Sequence, residues 1–106
     1  MRFISPSLLA ADFGNLQREC EMINRSSAEY LHIDVMDGVF VPNISFGFPL
    51  MKPMRKATTK VLDVHLMITA PEKYVTRFVE AGADYVTFHY EATENIQQCI
   101  DLIRKA

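Results

Sequence analysis

His32, Asp34 and His65 are the residues from which chemistry can be built. Two imidazoles and a carboxylate suit one divalent transition ion such as zinc, iron, manganese or cobalt. The first two stand in HIDVMDG (32–38), where apolar Ile33 and Val35 alternate with His32, Asp34 and Met36. Residues two apart on a strand project from one face ~6.6 Å apart, so His32 and Asp34 can close on one ion from the same side. His65 lies in VLDVHLM (61–67), which alternates in the same way. It would enter from a neighbouring strand ~4.8 Å away. The plain alternative is a pair of hydrogen-bonded interior histidines and an aspartate that caps the backbone. Three such groups at matching depth on adjacent strands favour the ion.

Other residues share that face. Met36 and Met67 are either core filler or, at an open end, a polarisable and water-excluding patch beside a reactive carbon. Ser7 can hydrogen-bond a substrate oxygen, or it is a strand-end hydroxyl. Asp37-Gly38 reads most simply as a turn and Asp63 as a structural polar group. His89 either supports the ligands from behind or ends a strand.

The elements that must position these side chains alternate along the chain. FISPSLL (3–9) reads as a first strand, followed by a helix over about 14–25 with Leu16, Cys20 and Ile23 on one stripe. YLHIDVM (30–36) is the second strand. The long loop DGVFVPNISFGFP (37–49) follows it, and long loops in compact domains are often functional. A short helix is expected over about 50–56 and a third strand over 61–67. Thr69 with Glu72 predicts a capping box for the next helix, with Pro71 in its first turn, Gly82 at its end and Tyr74, Phe78 and Ala81 as its buried stripe. DYVTFHY (84–90) is the fourth strand. The last helix starts near Thr93, with Ile96, Cys99, Ile100 and Ile103 on one side.

Strands alternating with helices predict βαβ units and a parallel sheet. A parallel sheet covered on both faces has strands that are apolar throughout. Here each strand keeps one apolar face and one that turns polar towards its C-terminal end. That is the wall of a βα-barrel, with helices outside and an active-site mouth at the C-terminal ends of the strands. The fold class is therefore α/β with parallel strands, as four βα units forming the wall of a βα-barrel in one domain over residues 1–106.

Composition narrows the partners. Of 106 residues 23% are charged, and the net charge of −2 gives no reason to expect nucleic acid or a membrane surface. No apolar run approaches the ~18 residues that cross a bilayer, and the N-terminus makes a poor signal peptide. Cys20 and Cys99 fall at apolar helix positions and read as two buried free thiols, which suits a reducing cytoplasm.

SPSLLAADF (5–13), HIDVMDGVFVPNISFG (32–47), DVHLM (63–67) and AGADYVTFHYEA (81–92) together resemble ribulose-phosphate 3-epimerases, from Phe3 to the end of the chain. The resemblance implies a TIM barrel that interconverts D-ribulose 5-phosphate and D-xylulose 5-phosphate around one divalent metal ion. It implies that His32, Asp34 and His65 are metal ligands and that Asp34 is also one of two carboxylates moving the C3 proton. Ser7, His65, Met36 and Met67 would contact the substrate. The opposing aspartate, a fourth ligand from the seventh strand, and the later phosphate loops have no counterpart here. Such a barrel needs at least ~200 residues, so this sequence reads as the N-terminal half of one. Hexulose-phosphate 3-epimerases share these motifs, and a non-catalytic metal-binding or structural module is the other alternative. Unpaired strand edges would favour association with a second copy, so a homo-oligomer is expected.

Overall fold

The computed structural model describes residues 2–106. Three parallel strands, β1 (Tyr30–Met36), β2 (Val61–Met67) and β3 (Tyr85–Phe88), form one sheet in that order. α1 (Leu16–Arg25) precedes β1, α2 (Phe48–Ala57) and α3 (Val75–Glu80) run between the strands, and α4 (Ile96–Lys105) follows β3. The architecture is α/β with parallel strands.

Alternation decides which face is which. Leu31, Ile33 and Val35 of β1 and Leu62, Val64 and Leu66 of β2 are buried in one core. Cys20 of α1, Met51 and Met54 of α2, Val75 and Phe78 of α3 and Cys99 of α4 join them there. The helices therefore cover one face of the sheet. On the other face the alternate residues His32, Asp34, Asp63 and His65 are only half-buried. The register places Asp34 beside His65, His32 beside Asp63 and Met36 beside Met67.

Residues 3–9 correct the sequence reading, because they do not form a fourth strand. Only an isolated bridge joins Ser7 to His32, with Tyr30 N–H donating to Ile4 C=O (3.3 Å) and His32 N–H to Pro6 C=O (2.9 Å). The proline ring leaves Pro6 no N–H to return to the ladder, so continuous pairing fails there. The Ser7 hydroxyl then accepts from Leu9 N–H and turns the chain into a 3₁₀ turn over Leu8–Ala10. Three strands, with this segment lying alongside, replace the four expected strand–helix units.

The expected capping box is also absent. Thr69 donates both its N–H and its hydroxyl to Asp37, while Glu72 accepts from the Thr93 hydroxyl and the Asn95 amide. Long-range partners outcompeted the local cap. Ala70 is left-handed (φ 49°), Pro71–Lys73 makes a 3₁₀ turn, and α3 starts only at Val75. The fourth predicted strand shortens to Tyr85–Phe88, and His89 precedes a further 3₁₀ turn over Tyr90–Ala92. The second helix is longer than expected, running from Phe48 to Ala57. Among the described residues no helix is long and apolar enough to cross a membrane.

The end of the sheet opposite the polar cluster is held by Arg55. Its guanidinium donates to Gly82 C=O, the Asp84 carboxylate, Thr58 C=O and Lys60 C=O at 2.7–3.0 Å. Gly82 has φ +121°, and a Cβ there would stand 2.6 Å from Arg55 Cδ. Gly82→Ala is therefore expected to cost at least about 1–3 kcal/mol in backbone strain and to displace the arginine. A urea midpoint equal to wild type would contradict this reading of the clamp.

Candidate metal centre

Parallel pairing of β1 with β2 gathers the polar groups. Asp34 and His65 are direct neighbours across the two strands, and His32 lies one alternation below on the same face. Asp34 Oδ1 stands 3.0 Å from His32 Nε2 and 3.3 Å from His65 Nδ1. Among the described residues, these three form a group whose ligand atoms all lie within 4.8 Å of one another. Ligands ~2.1 Å from a tetrahedral zinc ion stand ~3.4 Å apart, so the separations around Asp34 match one coordination shell.

Donor and acceptor accounting sharpens the point. His32 Nδ1 is 2.8 Å from Asp63 Oδ2, a carboxylate that can only accept, so Nδ1 carries the proton. In the neutral ring Nε2 then holds a lone pair, and it faces Asp34 Oδ1, a second acceptor, at 3.0 Å. A positive charge has to lie between them. A proton on Nε2 would satisfy the pair, and so would a metal ion. The carboxylate behind His32 is the usual support of a metal-bound imidazole, fixing its tautomer and orientation. The donor set fits a divalent transition ion.

His65 suits the same role. Burial and the neighbouring His89 hold its pKa below the ordinary imidazole value, which keeps the ring neutral at pH 7. A neutral imidazole is the form that ligates. The cysteines are excluded: burial raises the Cys20 thiol and pushes Cys99 up to about 11, so neither offers a thiolate near neutrality.

The remaining site residues expected from sequence fall nearby. The Ser7 hydroxyl donates to Asp34 Oδ2 at 2.5 Å and accepts from Leu9 N–H, so its proton is committed to the carboxylate and one lone pair is what it can offer elsewhere. Met36 and Met67 are paired one alternation beyond the Asp34–His65 level. Asp63, expected as a plain structural polar group, accepts from both His32 and the Ser5 hydroxyl (3.0 Å) and so orients a candidate ligand. Ser45 was also missed. It accepts from Met36 N–H (3.0 Å) and donates to Asp34 C=O (2.7 Å), tying the long loop back onto β1. The only signal was its position in a loop already marked as functional.

Asp37 is more than a turn residue. Burial raises its pKa, but N–H donors from Thr69, Val39 and Phe40 and the Thr69 hydroxyl outweigh this and lower it to about 2. A carboxyl depressed in the folded state contributes stability above its unfolded pKa of ~3.9 and loses it as pH falls towards 2. The stability advantage of wild type over Asp37→Asn should therefore shrink between about pH 4 and pH 2. Urea unfolding of both proteins across that range checks this, and a constant difference would contradict it.

Residues 3–106 match the family model described as Ribulose-phosphate 3 epimerase family. A ribulose-phosphate 3-epimerase of Eremothecium gossypii is 49% identical over 112 residues, covering 95% of this chain and 47% of the relative. That of Treponema pallidum is 45% identical, covering 95% of this chain and 46% of the relative. One from Oryza sativa subsp. japonica, named as a cytoplasmic isoform, is 45% identical with coverages of 95% and 45%. The chain spans about half the length of the curated relatives it matches.

Proposed function

The chain belongs to the ribulose-phosphate 3-epimerase family, and on that premise we propose that it is the metal-holding part of an enzyme interconverting D-ribulose 5-phosphate and D-xylulose 5-phosphate. The observation that carries this is the pair of acceptors, His32 Nε2 and Asp34 Oδ1, held 3.0 Å apart on the polar face of β1 with His65 beside them. A sheet with helices on one face and polar side chains on the other supports its place in the wall of a TIM barrel. Two buried free thiols suit the cytoplasm.

In this reading His32, Asp34 and His65 hold one zinc, iron, manganese or cobalt ion, which when bound stabilises negative charge developing beside the sugar ketone. Asp34 takes the proton from C3 on one face and can return it. Ser7 holds that carboxylate through Oδ2 and, with one lone pair accepting from Leu9 N–H, keeps the other for a substrate hydroxyl. His65 contacts the substrate from the ion's side, and Met36 and Met67 exclude water beneath the flattened sugar carbon. Inversion at C3 needs an acid on the opposite face as well. We place that acid, and the phosphate-binding loops, in barrel units beyond these 106 residues.

Joining residues 1–106 to the remaining half of the Eremothecium gossypii relative tests this. The fusion is expected to epimerise D-ribulose 5-phosphate in a metal-dependent manner. A folded, metal-loaded fusion without turnover would favour a non-catalytic metal-binding module.

The 106-residue chain alone is expected to show no turnover, because only one face of C3 has its acid. It is also expected to self-associate, since β3 has an open edge and Phe3, Ile4 and Tyr85 are 53%, 60% and 55% exposed. Sedimentation as a stable monomer, or turnover lost on Asp34→Asn, would contradict this.

A further inference from the structure

His89 lies just past the end of β3, with its Nε2 2.7 Å from Nε2 of His65. The ring centroids are 4.9 Å apart and the planes 30° from parallel. That separation is close to the largest a 2.7 Å contact between ring nitrogens permits. Both nitrogens therefore lie near the line joining the rings, as a hydrogen bond requires and a face-to-face stack does not. One ring donates and the other accepts.

The metal site decides which. His65 presents Nδ1 to Asp34 Oδ1 at 3.3 Å, and only an unprotonated Nδ1 can ligate. A neutral His65 then carries its proton on Nε2 and needs an acceptor there. Resting on the metal-centre reading above, we propose that His89 is a positioning residue: its Nε2 accepts from His65 Nε2–H and holds His65 in the tautomer whose Nδ1 faces the ion. Nothing else in the reaction is asked of it.

The surroundings hold His89 for this task. Its carbonyl accepts from Ala92 N–H at 3.0 Å, and Ala92 C=O accepts from Ala70 N–H at 3.1 Å, tying the turn after β3 to the end of β2. Phe40 packs against the His89 ring with centroids 5.2 Å apart. Phe40 is itself fixed by Asp37, which accepts its N–H at 2.9 Å. The loop after β1 thus sets the far side of a contact that orients a ligand on β2.

Zinc titration and imidazole nitrogen NMR of the ¹⁵N-labelled chain test the assignment. In the zinc-loaded wild type, His65 should be protonated at Nε2 and His89 at Nδ1. His89→Leu, which leaves no acceptor, should weaken zinc binding by about 10–100-fold, the usual effect of losing such a support. His89→Gln, whose Oε1 can accept where the ring nitrogen did, should return to within a few-fold of wild type. Wild-type affinity in His89→Leu, no rescue by Gln in a variant folded by circular dichroism, or a protonated His65 Nδ1 in the zinc-loaded chain would overturn the proposal. Should both variants fail to fold, the wild-type nitrogen pattern alone decides it. Absence of zinc binding by wild type would instead overturn the metal-centre reading and take this assignment with it.

Discussion

Asp34→Asn is expected to lower exchange of the C3 proton with solvent by at least ~10²–10⁴-fold, the usual contribution of one acid–base group. The test protein is the fusion of this chain to the second half of a relative. The substitution preserves shape and removes the basic oxygen. It also disturbs the hub of the site, since Asp34 meets His32 and His65 through Oδ1 and the Ser7 hydroxyl through Oδ2. An amide can place its NH₂ towards the Ser7 oxygen, which then accepts, and keep its single oxygen facing His32 and His65, so the fold should survive. Deuterium incorporation at C3, followed by NMR in heavy water, gives the rate. Incorporation at the wild-type rate would remove Asp34 as the base.

The second large effect concerns the ion. His32→Ala and His65→Ala are each expected to weaken binding of one zinc or cobalt ion by more than ~100-fold, beyond the range seen when only a supporting residue is lost. Either substitution leaves two ligands where three converge. Asp63→Asn should fall short of that, because it leaves the ligand and weakens only its support at Nδ1. Chelator competition on the three variants ranks them. An unchanged affinity in both histidine variants would defeat the ligand assignment, and a larger loss in Asp63→Asn would point to a collapsed sheet.

The polar face that carries the candidate site was legible in the sequence because it was written in period two. Alternating burial along β1 and β2 leaves His32, Asp34, Asp63 and His65 on the side opposite the helices, as the alternation of residue types implies. The same local logic misled at residues 3–9, where alternation is present but Pro6 cannot complete a ladder. Thr69 and Glu72 have capping-box spacing, yet Asp37 lies 32 residues before Thr69, and Thr93 lies 21 beyond Glu72; these partners take both side chains. Spacing along a chain carries no information about such partners. The role of Asp63 was hidden for a related reason: it depends on the register that sets Asp63 beside His32, which only the folded sheet specifies.

X-ray absorption of the zinc-loaded chain tests the central claim most directly, since it reads the atoms around the ion rather than the consequences of losing them. Two imidazole nitrogens at ~2.0–2.1 Å and a carboxylate oxygen at ~2.0–2.2 Å are predicted, with the imidazole scattering lost in the His32→Ala, His65→Ala double variant. A first shell of water oxygens without imidazole, or one containing sulfur at ~2.3 Å, would contradict the account.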